Sequence, residues 1–396
     1  MTPEPRLPTR RHFLTQASQL TAISLATPWI ARGAAAAPKI LETKVISQQP
    51  EYYHGWSTVA RRRNGELWVT WSGGRESHVC PFGQVHAMTS RDDGATWTWP
   101  RVLFDSAIDD RDSGVIETTK GSLIVSTFTS LAYEEHLKTA SVFATPSPKG
   151  WVSQGMPPEQ LAKWNAAHAR LSEEERKAEL GQWCIRSTDG GLTWSPRIAT
   201  IVNSPHGPIQ LKDGRLLYAG KKLWAAERKI GVAESKDDGL TWQWLADIPT
   251  RKGDRGSRYH ELHAVEAADG TLVAQIRNHN EGNRWTLQTE SSDQGRTWSE
   301  PHPVCYGFPS HLLRLGDGRL LMTYGFRQPP YGNRARISRD NGKSWGDEMV
   351  VSADGLNGDL GYPSTVELAD GTLLTVWYEG MKAPKLALLR QAKWRI

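Results

Sequence analysis

The side chains able to move protons or grip anions in this 396-residue chain gather in a few short segments. One reads Asp109-Asp110-Arg111-Asp112, three carboxyl groups around a single guanidinium. Another is His260-Glu261-Leu262-His263, and His54, His78 and His311 also stand near the starts of expected strands. Imidazole titrates near working pH, which suits it to general acid/base catalysis. Metal binding is a weaker use of the same side chains. His260 and His263 lack the H-E-x-x-H spacing, and in a strand an i, i+3 pair points to opposite faces. The sequence therefore predicts no metal and no other cofactor. Arginines recur beside these segments, among them Arg75, Arg277 and Arg327. A guanidinium fork matches a carboxylate bidentately, so arginine is the side chain expected where an acidic ligand is held.

These segments need a scaffold, and it is legible as a repeat. The pattern Ser-x-Asp-x-Gly-x-Thr/Ser-Trp occurs five times, at 90–97, 187–194, 235–242, 291–298 and 338–345. Each copy reads as a hairpin turn. The Asp accepts from turn amides, the Gly takes positive φ, and the Trp plugs the space beneath. A second hairpin signal runs out of phase with it, at Asn64-Gly65, Lys120-Gly121, Asp213-Gly214, Asp269-Gly270, Asp317-Gly318 and Asp370-Gly371. Two hairpins per unit make four strands, and six such units predict an all-β, six-bladed β-propeller. The first interval between boxes is about twice the later ones. Its excess falls at about 133–181, where Ser172 and Glu175 form a capping box, so a helical insertion is expected in blade 2. The sixth unit has no box. Its closing strand is expected from residues 39–48 pairing with 385–395.

Composition agrees with short strands and turns: 36 Gly, 23 Pro and 18 Trp, with 38% hydrophobic residues. Three cysteines, Cys80, Cys184 and Cys305, are too few for a disulfide framework. The net charge of +5 does not indicate nucleic acid. More than half of it comes from Arg6, Arg10, Arg11 and Arg32, within residues 1–37. There, adjacent arginines precede Phe-Leu, an apolar stretch and a small-residue cleavage site. That order is similar to a twin-arginine export signal and predicts a periplasmic or secreted product. The mature chain, 38–396, then reads as one catalytic propeller without a membrane span.

With these boxes the chain resembles the sialidase (neuraminidase) superfamily over roughly residues 40–396. Gly361-Tyr362-Pro363-Ser364 is similar to the family's nucleophile segment, which implies Tyr362 as nucleophile and Glu261 as the base that takes its proton. A neutral phenol suits an anomeric carbon that bears a carboxylate. The resemblance further implies Arg277 and Arg327 as substrate-carboxylate clamps, with Arg334 competing for the latter role. Arg75 matches the first-blade arginine. His54, in Tyr53-His54-Gly55-Trp56-Ser57, stands where another clamp arginine is usual. Asp112, Glu76 and His78 are the candidates for the acid/base, and Arg111 and His260 for substrate contacts. The expected function is an exported, retaining exo-glycosidase that hydrolyses a terminal, acidic sugar from a glycan or oligosaccharide. The oligomeric state stays open. A histidine-dependent polysaccharide lyase or hydrolase is one alternative on the same scaffold, and a non-catalytic glycan-binding propeller is another.

Overall fold

The computed structural model describes residues 37–142, 156–280, 285–382 and 386–396. The leader expected over 1–37 lies, but for its last residue, outside them. Within the described residues the chain forms six four-stranded antiparallel sheets, the blades of a six-bladed β-propeller. The innermost strands are Tyr53–Arg61, Asp109–Glu117, Ile209–Gln210, Tyr259–Glu266, Ser310–Arg314 and Leu360–Glu367, in blades 1 to 6. Each is joined to its second strand through one of the six expected Gly hairpins.

Each blade packs apolar side chains against both neighbours, which explains second strands such as Leu67–Arg75 and Leu373–Gly380 that are buried nearly throughout. Trp68 and Val85 of blade 1 meet Leu123 and Ile185 of blade 2. Trp56 and Trp71 meet Tyr362 and Tyr378 of blade 6. The remaining four interfaces repeat the scheme. The ring is sealed by Lys39–Val45, which pairs antiparallel with Ala387–Arg395 from Lys39↔Arg395 to Val45↔Arg390. Blade 6 therefore takes its fourth strand from the other end of the chain, and its missing box has a simple cause.

The five boxes share one hydrogen-bond plan. In the first, Ser90 Oγ donates to Asp92 Oδ1 at 2.7 Å and accepts from Gly94 N at 2.8 Å. Asp92 Oδ1 also accepts from Thr96 N at 2.9 Å. The carboxylate thus ties the turn at both ends, and two successive left-handed residues, Asp93 and Gly94, reverse the chain. Between the second and third strands of blade 2 lie three helices: α1 (Tyr133–Val142), α2 (Pro158–His168) and α3 (Glu173–Ala178). Helix α3 opens with the Ser172–Glu175 capping box. Tyr133, Leu137 and Trp164 bury themselves against Cys80 of blade 1. All three cysteines are free and buried. Among the described residues no helix is long and apolar enough to cross a membrane.

Further along the innermost strands and the segment before blade 3, three imidazoles crowd the axis. His263 and His311 stack with centroids 4.5 Å apart, and His206 meets them edge-on at 5.4 and 5.0 Å. Leu312 N donates to His263 Nδ1 at 3.0 Å and Thr365 N to His311 Nδ1 at 3.4 Å, so both rings carry their proton on Nε2. Among the described residues no three His, Cys, Asp or Glu side chains are arranged to hold a metal ion. Burial holds the His206 pKa down to about 3. Between the unfolded value near 6.5 and this folded value, the unfolded chain takes up a proton that the folded ring refuses. Stability is therefore unaffected above pH ~6.5 and falls below it. Lowering the pH from 7 to 5 should cost about 2 kcal/mol at His206 alone. Denaturant melts at both pH values check this: His206→Gln should lose about that much less than the native chain, and parallel losses would refute it.

Candidate active site

A cavity of about 310 Å³ opens where the early halves of the innermost strands converge. Four of those strands carry a register-shifting bulge, and each bulge holds a non-glycine residue in the left-handed region. They are Trp56 (φ 55), Asp112 (φ 55), Glu261 (φ 42) and Tyr362 (φ 52). Bulky side chains adopt this conformation only where the surroundings impose it, and it marks functional sites. All four line the cavity. A bulge re-aims a side chain that regular alternation would send elsewhere.

Tyr362 Oη donates to Glu261 Oε1 at 2.6 Å. Arg277 Nη1 donates to Glu261 Oε2 at 2.5 Å and to Tyr362 Oη at 3.0 Å, closing a three-membered cluster. Burial alone would raise the Glu261 pKa, but the Arg277 charge and both hydrogen bonds hold it at about 2. The Tyr362 pKa is driven well above its ordinary value, first by burial and then by the Glu261 charge. The resting proton therefore sits on the phenol, on a short bond to its acceptor. Arg327 lies over the rings of Tyr362 (5.6 Å) and Phe308 (5.5 Å). Its Nε and Nη2 are buried with no hydrogen-bond partner. Two unsatisfied donors beside the phenol suit an acidic ligand.

Asp112 is the cavity's second carboxyl group. Burial, reinforced by the Glu261 charge, lifts its pKa to about 7, against the pull of Arg111 and the Asn203 Nδ2 bond at 3.0 Å. Two carboxyl groups in one cavity are thus held in opposite protonation states, the arrangement that acid/base chemistry needs. Trp56 forms the floor, with Arg111 Cζ over its ring at 4.4 Å and Arg75 Cζ at 5.0 Å.

Arg75 does not line the cavity. It is fully buried against Asp109, with Nη1–Oδ1 at 2.5 Å and Nη2–Oδ2 at 3.1 Å, and its other bonds go to Ser72 Oγ and the carbonyls of Ser77, His78 and Asp110. A Cβ on Gly83 would fall 2.2 Å from both Arg75 Nη1 and Asp109 Oδ1, so that position admits only glycine. Glu76 also lies away from the cavity. It accepts from Gln160, Lys163 and Trp164 of α2. His54 is fully buried with Nδ1 2.7 Å from Ser47 Oγ, and burial drops its pKa to about 3. The first-blade bulge turns Trp56, not His54, into the cavity. His78 does line it, its Nδ1 2.7 Å from Tyr53 Oη and 3.1 Å from Asp359 Oδ1. Arg111 and His260 line it as well, whereas Arg334 does not.

Sequence reasoning missed Trp56, Asn203, Lys221, His279 and Tyr378 in the lining. It also missed Asp359, which receives hydrogen bonds from Tyr53 and Tyr378 at 3.1 and 3.2 Å. His279 stood two residues beyond Arg277, one past the end of the strand Leu272–Asn278, where continued alternation puts it on the side of Arg277, a usable signal. Asn203 and Lys221 carried none, since an isolated bridge joins the last residue of the strand Leu216–Lys221 to Asn203, which lies in no strand.

Six blades, five of them boxed, around an axial charged cavity define a propeller of the BNR-repeat kind. The profile described as a BNR repeat-like domain matches residues 163–375, and the chain belongs to that family, within the superfamily that includes the sialidases. A sialidase of Bacteroides fragilis is 25% identical over 223 residues, covering 50% of this chain and 39% of that protein. A sialidase of Clostridium perfringens is 30% identical over 194 residues, covering 40% of this chain and 50% of that protein. The alignments thus span half or less of these relatives. A protein of unknown function from Dyadobacter fermentans superposes with a TM-score of 0.70 at 21% identity, covering 91% of this chain and 100% of that one, a likeness of fold.

The buried Arg75–Asp109 pair yields a stability prediction. Removing one partner leaves an uncompensated charge, so Arg75→Met should cost about 3–5 kcal/mol in denaturant unfolding. A variant of unchanged stability that lost only ligand affinity would instead make Arg75 a clamp.

Proposed function

We propose that this chain is a retaining exo-glycosidase that hydrolyses a terminal, acidic sugar from a glycan, with Tyr362 as nucleophile. The 2.6 Å bond from Tyr362 Oη to a Glu261 carboxylate held at low pKa carries this reading. As Oη bonds to the anomeric carbon, positive charge develops on it and its proton passes to Glu261. The glycosidic bond breaks with its electron pair going to the leaving oxygen, which takes the proton of Asp112. Water then gives a proton to Asp112 and attacks the anomeric carbon, while Oη departs and recovers its proton from Glu261. Two displacements return the original anomeric configuration. Arg327, with the Nη2 of Arg277 that no described residue engages, meets the sugar's acidic group. Arg111 and His260, which also line the cavity, contact the ring.

The sialidases among the relatives support a glycosidase of this class, and the unsatisfied donors of Arg327 support an acidic sugar. The arginine-led leader over 1–37 supports export, with 38–396 as the mature catalytic propeller and the helices between 133 and 181 bordering it. The alternative that rests on His54 has less support, because that ring is buried away from the cavity.

Release of aryl glycosides of acidic sugars tests the mechanism. Tyr362→Phe should lose at least about a thousandfold in kcat/KM, and Glu261→Gln at least about a hundredfold. An untouched rate in both would end the Tyr–Glu reading. Asp112 acts as acid only while protonated, so the rate on substrates with poor leaving groups should fall as pH rises through about 7. Asp112→Asn should abolish that limb, with a loss of about a hundredfold that shrinks for a good aryl leaving group. A limb that persists in Asp112→Asn would assign the proton to another group.

A further inference from the structure

Lys221, His260 and His279, which line the cavity together, share an unusual property: their bonds to one another and to Arg277 leave donors, and no ring lone pair, for a ligand. Lys221, buried on the second strand of blade 3, donates to Ser257 O at 2.7 Å and to His260 Nδ1 at 3.2 Å. An ammonium has no lone pair, so His260 Nδ1 must accept, and the neutral ring keeps its proton on Nε2. Burial together with the Lys221 charge keeps that ring neutral, its pKa near 4. The same logic applies to His279. Arg277 Nε donates to His279 Nε2 at 2.6 Å, which leaves that ring with its proton on Nδ1. Burial and then the Arg277 charge hold its pKa at about 3. The two rings lie 4.9 Å apart, and both line the cavity with Lys221.

Both lone pairs that could have accepted from a sugar hydroxyl are thus consumed by cations behind them. What remains is one ammonium N–H of Lys221, the Nε2–H of His260 and the Nδ1–H of His279, none with a partner among the described residues. Burying a lysine costs free energy unless an anion or strong acceptor meets it. Among the described residues Lys221 is hydrogen-bonded only to a carbonyl and a neutral ring, and the Glu261 carboxylate reaches it through its charge alone. Arg327 lines the same cavity and its charge reaches His279, but among the described residues it makes no hydrogen bond to Lys221, His260 or His279.

We propose that Lys221, His260 and His279 form a second anion-recognition subsite, which takes a carboxylate or sulfate substituent of the glycan in addition to the acidic group met by Arg327. The inference rests on the glycosidase reading for its ligand and names the substrate class: saccharides with two acidic groups.

The test follows the histidine imidazoles of the full chain by two-dimensional ¹H–¹⁵N NMR. The probes are sodium sulfate and sodium acetate, titrated against chloride at constant ionic strength. One or both anions should shift the His260 and His279 signals saturably, whereas chloride should not. Tighter sulfate binding assigns a sulfate ester to the subsite and tighter acetate a carboxylate. Lys221→Met should weaken that binding at least about tenfold. Lys221→Arg should restore it to within about threefold, and Arg327→Met should leave it within about twofold. His279→Phe carries the same expectation as Lys221→Met should the latter not fold. Absence of a saturable shift would overturn the subsite, as would equal binding in a folded Lys221→Met or loss only in Arg327→Met. Anion binding without sugar release from any acidic glycoside would sink the glycosidase reading and leave the subsite standing. Sugar release without anion binding would do the reverse.

Discussion

Everything at this site depends on four backbone residues held where side chains seldom go. A left-handed non-glycine residue costs about 1–3 kcal/mol, and it persists only when its surroundings over-determine it. Here each bulge has regular ladder on its carboxyl-terminal side and a neighbouring blade packed against it. The closure at Lys39–Val45, paired with Ala387–Arg395 in blade 6, keeps the blades from separating. The propeller supplies the rigidity, and the bulges convert it into convergence. Trp56, Asp112, Glu261 and Tyr362 come from blades 1, 2, 4 and 6, yet they share one cavity.

Convergence alone does not assign roles; electrostatics does. Asp112 is buried and Glu261 half-buried, and the Glu261 charge acts on Asp112. Glu261 has a guanidinium at 2.5 Å, whereas Asp112 has an amide at 3.0 Å and a more distant Arg111. The nearest partner decides which carboxyl gives up its proton, and the loser is pushed further toward the neutral form. Arg75 illustrates the converse. It carries the same charge and sits near the same floor, but Asp109 satisfies it so fully that no donor remains for a ligand.

The scaffold was legible because its signals are local. An Asp-Gly pair or a Ser-x-Asp-x-Gly box folds the same turn wherever it stands, so counting turns counted strands and blades. The site was legible only in part. Tyr362, Glu261 and Arg277 stood in segments whose likeness to a family marked them, whereas the first blade was misread by two residues. There the side chains alternate until a bulge inserts one more, and Trp56 takes the place expected for His54. Such an insertion leaves no trace in composition or periodicity. Glu76 was equally opaque, since its partners lie more than eighty residues away on α2. Asp109 and Asp112 share one acidic run, yet only contact with Arg75 or with Asn203 separates structure from chemistry.

The helices between the second and third strands of blade 2 bear on the cavity through that same Glu76. Trp164 Nε1 donates to it at 2.7 Å, while Tyr133, Leu137 and Trp164 pack on Cys80. Glu76 and Cys80 bracket His78, which lines the cavity and faces Asp359 of blade 6. The segment carrying His78 is thus anchored at both ends by helical side chains and at its middle by a carboxylate from the adjoining blade 6. Arg75 Nη2 donates to the His78 carbonyl at 3.0 Å, which ties the segment to the Arg75–Asp109 pair beside Trp56. A loop that would otherwise be the least supported wall of the cavity is instead fixed from three directions. That is the mechanical condition for keeping Tyr362 and Asp112 in register.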